Sequence, residues 1–189
     1  IWNLEKEVWE EESVPVTVNV RELAGGHSGI NIGKGLGNSI VLLGRLCYAL
    51  KDTKARICDM EVEGKANAIA NTGKACFCIK PEEKEKVVNI IRDTEEIFRK
   101  ELQYTDHISL EITEGLPVKD AMVYTEKYQT GITKSLMLLP YGVAGYSFAI
   151  EGLIETSMSM GALTTENGKM TLLMSMRSSV ESQKYFLRD

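Results

Sequence analysis

VPVTVNVRELAGGHSGINIGKGLGNSIVLLGRLCYAL, residues 14–50, contains the patterns of a strand, a glycine-rich loop and a helix in succession. Four valines alternate with other residues at positions 14, 16, 18 and 20, which predicts a strand with one buried face. Apolar residues recur at helical spacing from position 36 to position 50. Between these two elements, residues 24–38 hold six glycines and His27, one of only two histidines in the chain. The role of a histidine in such flexible backbone is the central question that this stretch raises.

The next hundred residues repeat the same kinds of pattern. Residues 55–62, 73–80 and 108–112 alternate as strands. Pro81 begins a helix at its preferred first position, and Glu82 and Glu83 follow where the helix dipole favours negative charge. The predicted order β-α-β-β-α-β is the ferredoxin-like pattern. We therefore expect a ferredoxin-like half over about residues 14–115.

The last part of the chain predicts a different arrangement, over about residues 116–189. Apolar residues at helical spacing predict a helix from Ala121 to Leu139, which Pro140 ends. Residues 153–164 and 169–177 read as two strands, and the Asn-Gly pair between them is a strong hairpin signal. Arg177 falls on the opposite face of the last strand from its methionines. The predicted fold class is α+β: a ferredoxin-like unit with an α-β-β extension, in which helices pack on antiparallel sheet.

Composition limits the classes of function. The 189 residues carry a net charge of -5 with both signs interspersed, which argues against nucleic acid or an anionic membrane as the main partner. No run of about 18 apolar residues predicts a membrane span, and no signal peptide is visible. The four cysteines form no CxxC pair and are expected to be reduced, buried thiols rather than metal ligands or disulfides, as in a cytoplasmic protein. Because the chain starts at Ile1 and stops in an apparent helix, we expect a fragment of a longer protein.

Three chemical explanations for the glycine-rich loop are weak. A dinucleotide fingerprint needs GxGxxG in a tight turn, whereas this loop reads GxGxG and is longer. A catalytic zinc site needs about three ligands, but His27 has no nearby partner of that type and His107 lies on the polar face of a strand. Ser28 adjoins His27 in sequence, and neighbouring residues rarely face each other as a nucleophile and its base.

Two explanations remain for His27 on residue patterns alone. The histidine either satisfies loop backbone as a structural residue, or it donates a hydrogen bond to a ligand that arrives from outside. Glycine permits close approach of the backbone to such a ligand.

Three blocks of this sequence resemble the aminoacyl-histidine dipeptidase family, also called Xaa-His dipeptidase or peptidase D. Residues 21–50 are similar to its GLxGGHSGxxIxxGxGNAxxLL motif. EGKANAIAN, residues 63–71, is similar to its GGxxxNAIPRE motif, and residues 153–182 are similar to its VETSLNxGxV hairpin with the RSxxxS end. The blocks occur in the family's order, and the resemblance runs from about Val14 nearly to the C-terminus.

The resemblance implies that this chain is the lid, or dimerisation, domain of a zinc-dependent dipeptidase. In similar enzymes the two zinc ions and the general-base glutamate belong to a catalytic domain that this chain lacks, so this chain alone is expected to bind no metal and to be inactive. The residue matching His27 donates to the oxyanion of the reaction, and those matching Asn67 and Arg177 bind the free carboxylate of the dipeptide. The implied partners are the dipeptide, the protein's own catalytic domain and a second subunit in a homodimer, in the cytoplasm.

The chain departs from the family pattern at three positions. Ala70 replaces the proline of NAIP, Lys65 replaces a glycine, and Ser159 replaces the asparagine of SLNxG. A preference for histidine-containing dipeptides and a general dipeptidase activity are therefore both compatible with the sequence. The competing hypotheses are a non-catalytic ferredoxin-like module that binds a small regulatory molecule, and a phosphate or nucleotide binder that uses the glycine-rich loop.

Overall fold

The computed structural model describes residues 1–188. Within this range the chain forms twelve strands and four α-helices. In chain order the elements are β1 (Trp2–Asn3), β2 (Lys6–Trp9), β3 (Val14–Arg21), β4 (Gly26–His27), α1 (Ser39–Ala49), β5 (Arg56–Glu61), β6 (Ala68–Ile69), β7 (Gly73–Ile79), α2 (Lys84–Leu102), β8 (Ser109–Glu114), β9 (Ala121–Tyr124), α3 (Glu126–Leu138), β10 (Gly142–Tyr146), β11 (Ile154–Glu166), β12 (Lys169–Ser178) and α4 (Glu181–Arg188). Short 3₁₀ turns at Ile32–Lys34 and Pro81–Glu83 complete the list.

The ferredoxin-like unit is present as predicted. Its four strands are ordered β5-β7-β3-β8, and every neighbouring pair is antiparallel. The four alternating valines of β3 are buried beneath the helices, while the intervening residues face the other side of the sheet. Asn38 begins α1 because its side-chain oxygen accepts hydrogen bonds from the backbone N–H groups of Ile40 and Val41.

A second antiparallel sheet is formed mainly by the C-terminal part of the chain, in the order β1-β12-β11-β10. The predicted hairpin joins β11 and β12, and its two turn residues, Asn167 and Gly168, have φ values of 50° and 69°. Positive φ at both turn positions is what a tight hairpin requires. The predicted α+β class with antiparallel sheets and packed helices is confirmed.

The predicted helix over residues 121–139 begins too early. Residues 121–124 form β9, which pairs with β2, and the helix α3 starts at Glu126. Thr125 caps α3 by accepting a hydrogen bond from the backbone N–H of Tyr128. The apolar side chains of Tyr124 and Tyr128 fit helical spacing, but hydrogen bonds to the distant strand β2 determine the backbone of residues 121–124.

The sequence analysis also did not predict β1 and β2 near the N-terminus, nor β10 within the α-β-β extension. The strand β10 contains Gly142 and Gly145 and pairs with β11 through two register shifts, so it lacks a regular alternating pattern. One buried cluster connects the two parts of the chain, since residues of α1 and of β11 both belong to it. None of the helices within residues 1–188 is long and apolar enough to cross a membrane.

Candidate functional site

The three predicted site residues lie on segments that meet in the fold. The short strand β4 pairs with β6, with His27 opposite Ala68. One residue further on, the backbone N–H of Ser28 donates to the carbonyl oxygen of Asn67 at 2.9 Å. Arg177 reaches the same loop from β12, where its Nη2 donates to the hydroxyl of Ser28 at 3.3 Å. The fold thus brings together segments that are about 40 and 150 residues apart in sequence.

The imidazole of His27 is held by the backbone of its own loop. Its Nδ1 accepts hydrogen bonds from the N–H groups of Gly29, at 3.1 Å, and Ile30, at 3.3 Å. A neutral imidazole has one acceptor nitrogen and one donor nitrogen. These bonds assign the acceptor to Nδ1, so Nε2 carries the proton. One ring nitrogen of His27, Nδ1, therefore binds loop backbone, as expected of a structural residue. The other ring nitrogen, Nε2, remains available to donate a hydrogen bond.

Two glycines give this loop the space that it needs. A Cβ atom at position 26 would lie 2.9 Å from Cβ of Asn31, whose Oδ1 accepts a hydrogen bond from the backbone N–H of His27. A Cβ atom at position 29 would lie 3.2 Å from both Cε1 of His27 and Nε of Arg177. The imidazole and the guanidinium therefore approach each other across Gly29, where a side chain would separate them.

Asp106 holds both ends of the glycine-rich loop, a role that the sequence analysis missed. Its carboxylate is buried; Oδ1 accepts from the N–H of Ala24 at 2.9 Å and Oδ2 from the N–H of Gly37 at 3.0 Å. Asp106 also accepts from the N–H of His107. The side chain of His107 is exposed as predicted, but His107 precedes β8 rather than lying in a strand. No local pattern marks Asp106, because its partners lie about 70 and 80 residues earlier in the chain.

The loop that carries Asn67 rests on the backbone of β11. Gly64 and Gly161 pack so closely that a Cβ atom on Gly64 would overlap the carbonyl oxygen of Gly161, and one on Gly161 would overlap the carbonyl oxygen of Lys65. The hydroxyl of Ser159 donates to the carbonyl of Ala68 at 3.2 Å. The side chain of Asn67 is exposed at the end of this supported loop. The spacing of the motif residues was visible in the sequence, but this backbone contact was not.

The assembled surface is open rather than enclosed. A cleft of about 460 Å³ lies between α1, α3 and β2, and none of His27, Asn67 and Arg177 lines it. Within residues 1–188, no group of three or more histidine, cysteine or acidic side chains is arranged to hold a metal ion. Among the described residues, this surface presents hydrogen-bond donors, which include the guanidinium of Arg177 and the exposed amide of Asn67.

The fold is that of one part of a dipeptidase. The chain superposes on the solved aminoacylhistidine dipeptidase from Vibrio alginolyticus with a TM-score of 0.87 and 24% identity, over 99% of this chain and 41% of that one. In sequence it is 25% identical over 184 residues to the cytosol non-specific dipeptidase of Escherichia coli (strain K12), covering 94% of this chain and 38% of that protein. No family model matches the chain.

The predicted resemblance to the dipeptidases is therefore confirmed in both sequence and fold. The chain is a homologue of one segment of these proteins and spans less than half of the length of either relative.

Proposed function

We propose that this chain is the lid, or dimerisation, domain of a metal-dependent dipeptidase that hydrolyses Xaa-His or other dipeptides in the cytoplasm. The observation that supports this role best is the convergence of His27, Asn67 and Arg177 on one open surface. Such a surface is suited to closing over a substrate that a second domain holds. In this proposal two zinc ions, bound by the rest of the protein, supply the activated water.

His27 is the proposed donor to the oxyanion of the tetrahedral intermediate. Its Nδ1 is occupied by two backbone N–H groups, so the imidazole is oriented before substrate arrives and Nε2–H is the donor that remains. A donor that is already in place where negative charge develops typically contributes about 10²–10³ in kcat. His27 would thus act on the transition state rather than on the bound substrate.

Arg177 and Asn67 are the proposed ligands of the dipeptide's free carboxylate. The guanidinium of Arg177 is a planar fork that can bind a carboxylate through two parallel hydrogen bonds. Its bond to the hydroxyl of Ser28 fixes the guanidinium beside the His27 loop. Asn67 adds an exposed amide from the segment that pairs with the His27 loop. Recognition of a free C-terminus next to the reacting carbonyl would restrict the enzyme to short peptides.

The proposal is tested by steady-state hydrolysis of a Xaa-His dipeptide with the full-length protein. His27→Ala is expected to lower kcat by about 10²–10³ with its metal content unchanged. His107→Ala is the matched control, because it removes the chain's other histidine from an exposed position, and it is expected to leave kcat unchanged. Arg177→Met is expected to raise KM more than it lowers kcat.

Two outcomes would contradict this assignment. Equal kcat values for the two histidine variants would make His27 a structural residue only. Absence of dipeptide hydrolysis by the intact, metal-loaded protein would refute the dipeptidase assignment itself.

A subunit-mixing experiment would show whether His27 serves its own active site or that of a homodimer partner. His27→Ala subunits are mixed with subunits that lack the metal site, and activity is restored only if His27 serves the partner's site.

A further inference from the structure

Three of the four cysteines form a cluster that the proposed function does not use. Cys76 and Cys78 lie two residues apart on β7 and so point to the same face of the sheet. On the neighbouring strand β5, the register shifts between Ile57 and Asp59, which leaves Cys58 in a bulge opposite them. The side chains of Cys76 and Cys78 both raise the pKa of the Cys58 thiol, which shows that the three sulfurs are neighbours. The bulge thus directs a third sulfur toward the other two.

The surroundings of the cluster make its members chemically different. A hydrogen bond from Cys58 lowers the pKa of the Cys76 thiol to about 6, with smaller contributions from Thr17 and the ammonium of Lys6, while burial acts against them. The same hydrogen bonds raise the pKa of Cys58. The ammonium of Lys6 is held in place by a 2.7 Å bond to the carbonyl oxygen of Cys58. The neighbouring Cys58 also lowers the pKa of the Cys78 thiol, so Cys76 and Cys78 both gain thiolate character while Cys58 stays protonated.

Accessibility also separates the thiols. The expectation that all four cysteines are buried is wrong for two of them: Cys58 and Cys76 are half-buried, whereas Cys78 is buried with 2% of its surface exposed. Cys47 lies on α1, outside the cluster, where burial raises its pKa to about 12. All four are free thiols, and none belongs to a group within residues 1–188 that is arranged for metal binding. The accessible pair of adjacent thiols is Cys58 and Cys76.

We propose that Cys58 and Cys76 are a dithiol that hydrogen peroxide oxidises to a reversible disulfide. The sulfur of Cys76 attacks the O–O bond of the peroxide, so that Cys76 becomes a sulfenic acid and one water is released. The sulfur of Cys58 then attacks the sulfur of Cys76, and the sulfenic oxygen leaves with a proton as the second water. In sum, two thiols and one hydrogen peroxide give one disulfide and two waters.

The geometry of adjacent strands permits this bond. Cys58 is the extra residue of the bulge and directly precedes Asp59, the register partner of Cys76, so the two cysteines lie on adjacent strands about 4.8 Å apart. Disulfides span Cα–Cα distances of about 4.4–6.8 Å. The strands β5 and β7 are also the two strands whose connection carries Asn67. A Cys58–Cys76 disulfide would therefore covalently link the two strands that flank the segment with Asn67. The inference itself concerns thiol chemistry and stands without the proposed dipeptidase role.

The test is peptide mapping of the full-length protein after treatment with graded hydrogen peroxide, alkylation and trypsin digestion. Cys58 falls in the tryptic peptide 57–65, and Cys76 falls with Cys78 in the peptide 75–84, since trypsin does not cleave between Lys80 and Pro81. The expected product joins these two peptides through Cys58 and Cys76, leaves Cys78 alkylated, and disappears after treatment with dithiothreitol.

Single cysteine variants distinguish formation of the sulfenic acid from formation of the disulfide. Cys58→Ser is expected to abolish the linked peptide and to leave a sulfenic acid at Cys76, which dimedone traps. Cys47→Ser and Cys78→Ser are expected to form the link as the unchanged protein does. Four thiols that stay alkylatable after peroxide treatment would overturn the proposal, as would a bond through Cys78 or oxidation of Cys76 to sulfinic acid with no disulfide. Because the unchanged protein already gives the decisive peptide, misfolding of a variant would not obscure the result.

Discussion

Replacement of Asp106 by alanine should destabilise this chain and release the loop that carries His27. The buried carboxylate accepts three backbone N–H groups, from Ala24, Gly37 and His107, at 2.8–3.0 Å. Alanine would leave all three donors without this acceptor. The N–H of Gly37 is buried, whereas the other two are partly buried and can recruit water.

The loss of stability caused by Asp106→Ala follows from these three hydrogen bonds. A buried donor left unpaired costs about 1–3 kcal/mol, and a partly buried donor costs less. For Asp106→Ala we therefore expect a loss of about 3–5 kcal/mol in the free energy of unfolding. With a urea m-value of about 2.5 kcal/mol per molar, the midpoint would fall by about 1.2–2 M.

The assay is equilibrium urea unfolding of the 189-residue chain, combined with hydrogen exchange at Gly37. Protection of the Gly37 amide should fall by more than that of core strand amides, since its local acceptor is gone. Asp93→Ala is the control, because Asp93 is an exposed carboxylate on α2, and a change within about 0.5 kcal/mol is expected. A loss below about 1 kcal/mol for Asp106→Ala, or an equal loss for both variants, would refute the reasoning.

Three further predictions concern a helix, a loop contact and a thiol. Gly131→Ala should stabilise the chain by about 0.5–1 kcal/mol in thermal unfolding, because Gly131 lies within α3 and nothing is within 4 Å of the added Cβ; destabilisation would contradict this. Gly161→Ala should displace the carbonyl of Lys65, which supports the loop that carries Asn67. In the full-length protein it should therefore raise KM for a dipeptide more than it lowers kcat. An unchanged KM would contradict the role of this contact. The rate at which iodoacetamide alkylates Cys76 should reach half of its plateau near pH 6 and fall below that pH, because the thiolate is then protonated. Cys47 should stay unreactive at neutral pH. A midpoint near pH 9 for Cys76 would show that its neighbours do not stabilise the thiolate.

Much of the fold was predictable because its signals are local. The alternating valines of β3, the proline that begins the 3₁₀ turn leading into α2 and the Asn-Gly turn each express a short-range rule of backbone geometry. The α-helix itself begins three residues later than Pro81 predicted, at Lys84. The order of these signals along the chain was enough to predict the β-α-β-β-α-β unit. The same reasoning failed for residues 121–124, where the apolar spacing suits either a helix or a strand, and pairing with β2 determines the outcome.

The sequence by itself determined the fold class and, through the motifs that it shares with a dipeptidase family, which residues to consider as a site. Only the tertiary structure decided how those residues meet. It placed His27 opposite the Asn67 loop, with Arg177 beside Gly29, and it assigned the acceptor nitrogen of the imidazole. It also revealed Asp106 as the anchor of the loop. The physical reason is that these contacts join segments far apart in the chain, and no local pattern records which distant backbone group a side chain will reach.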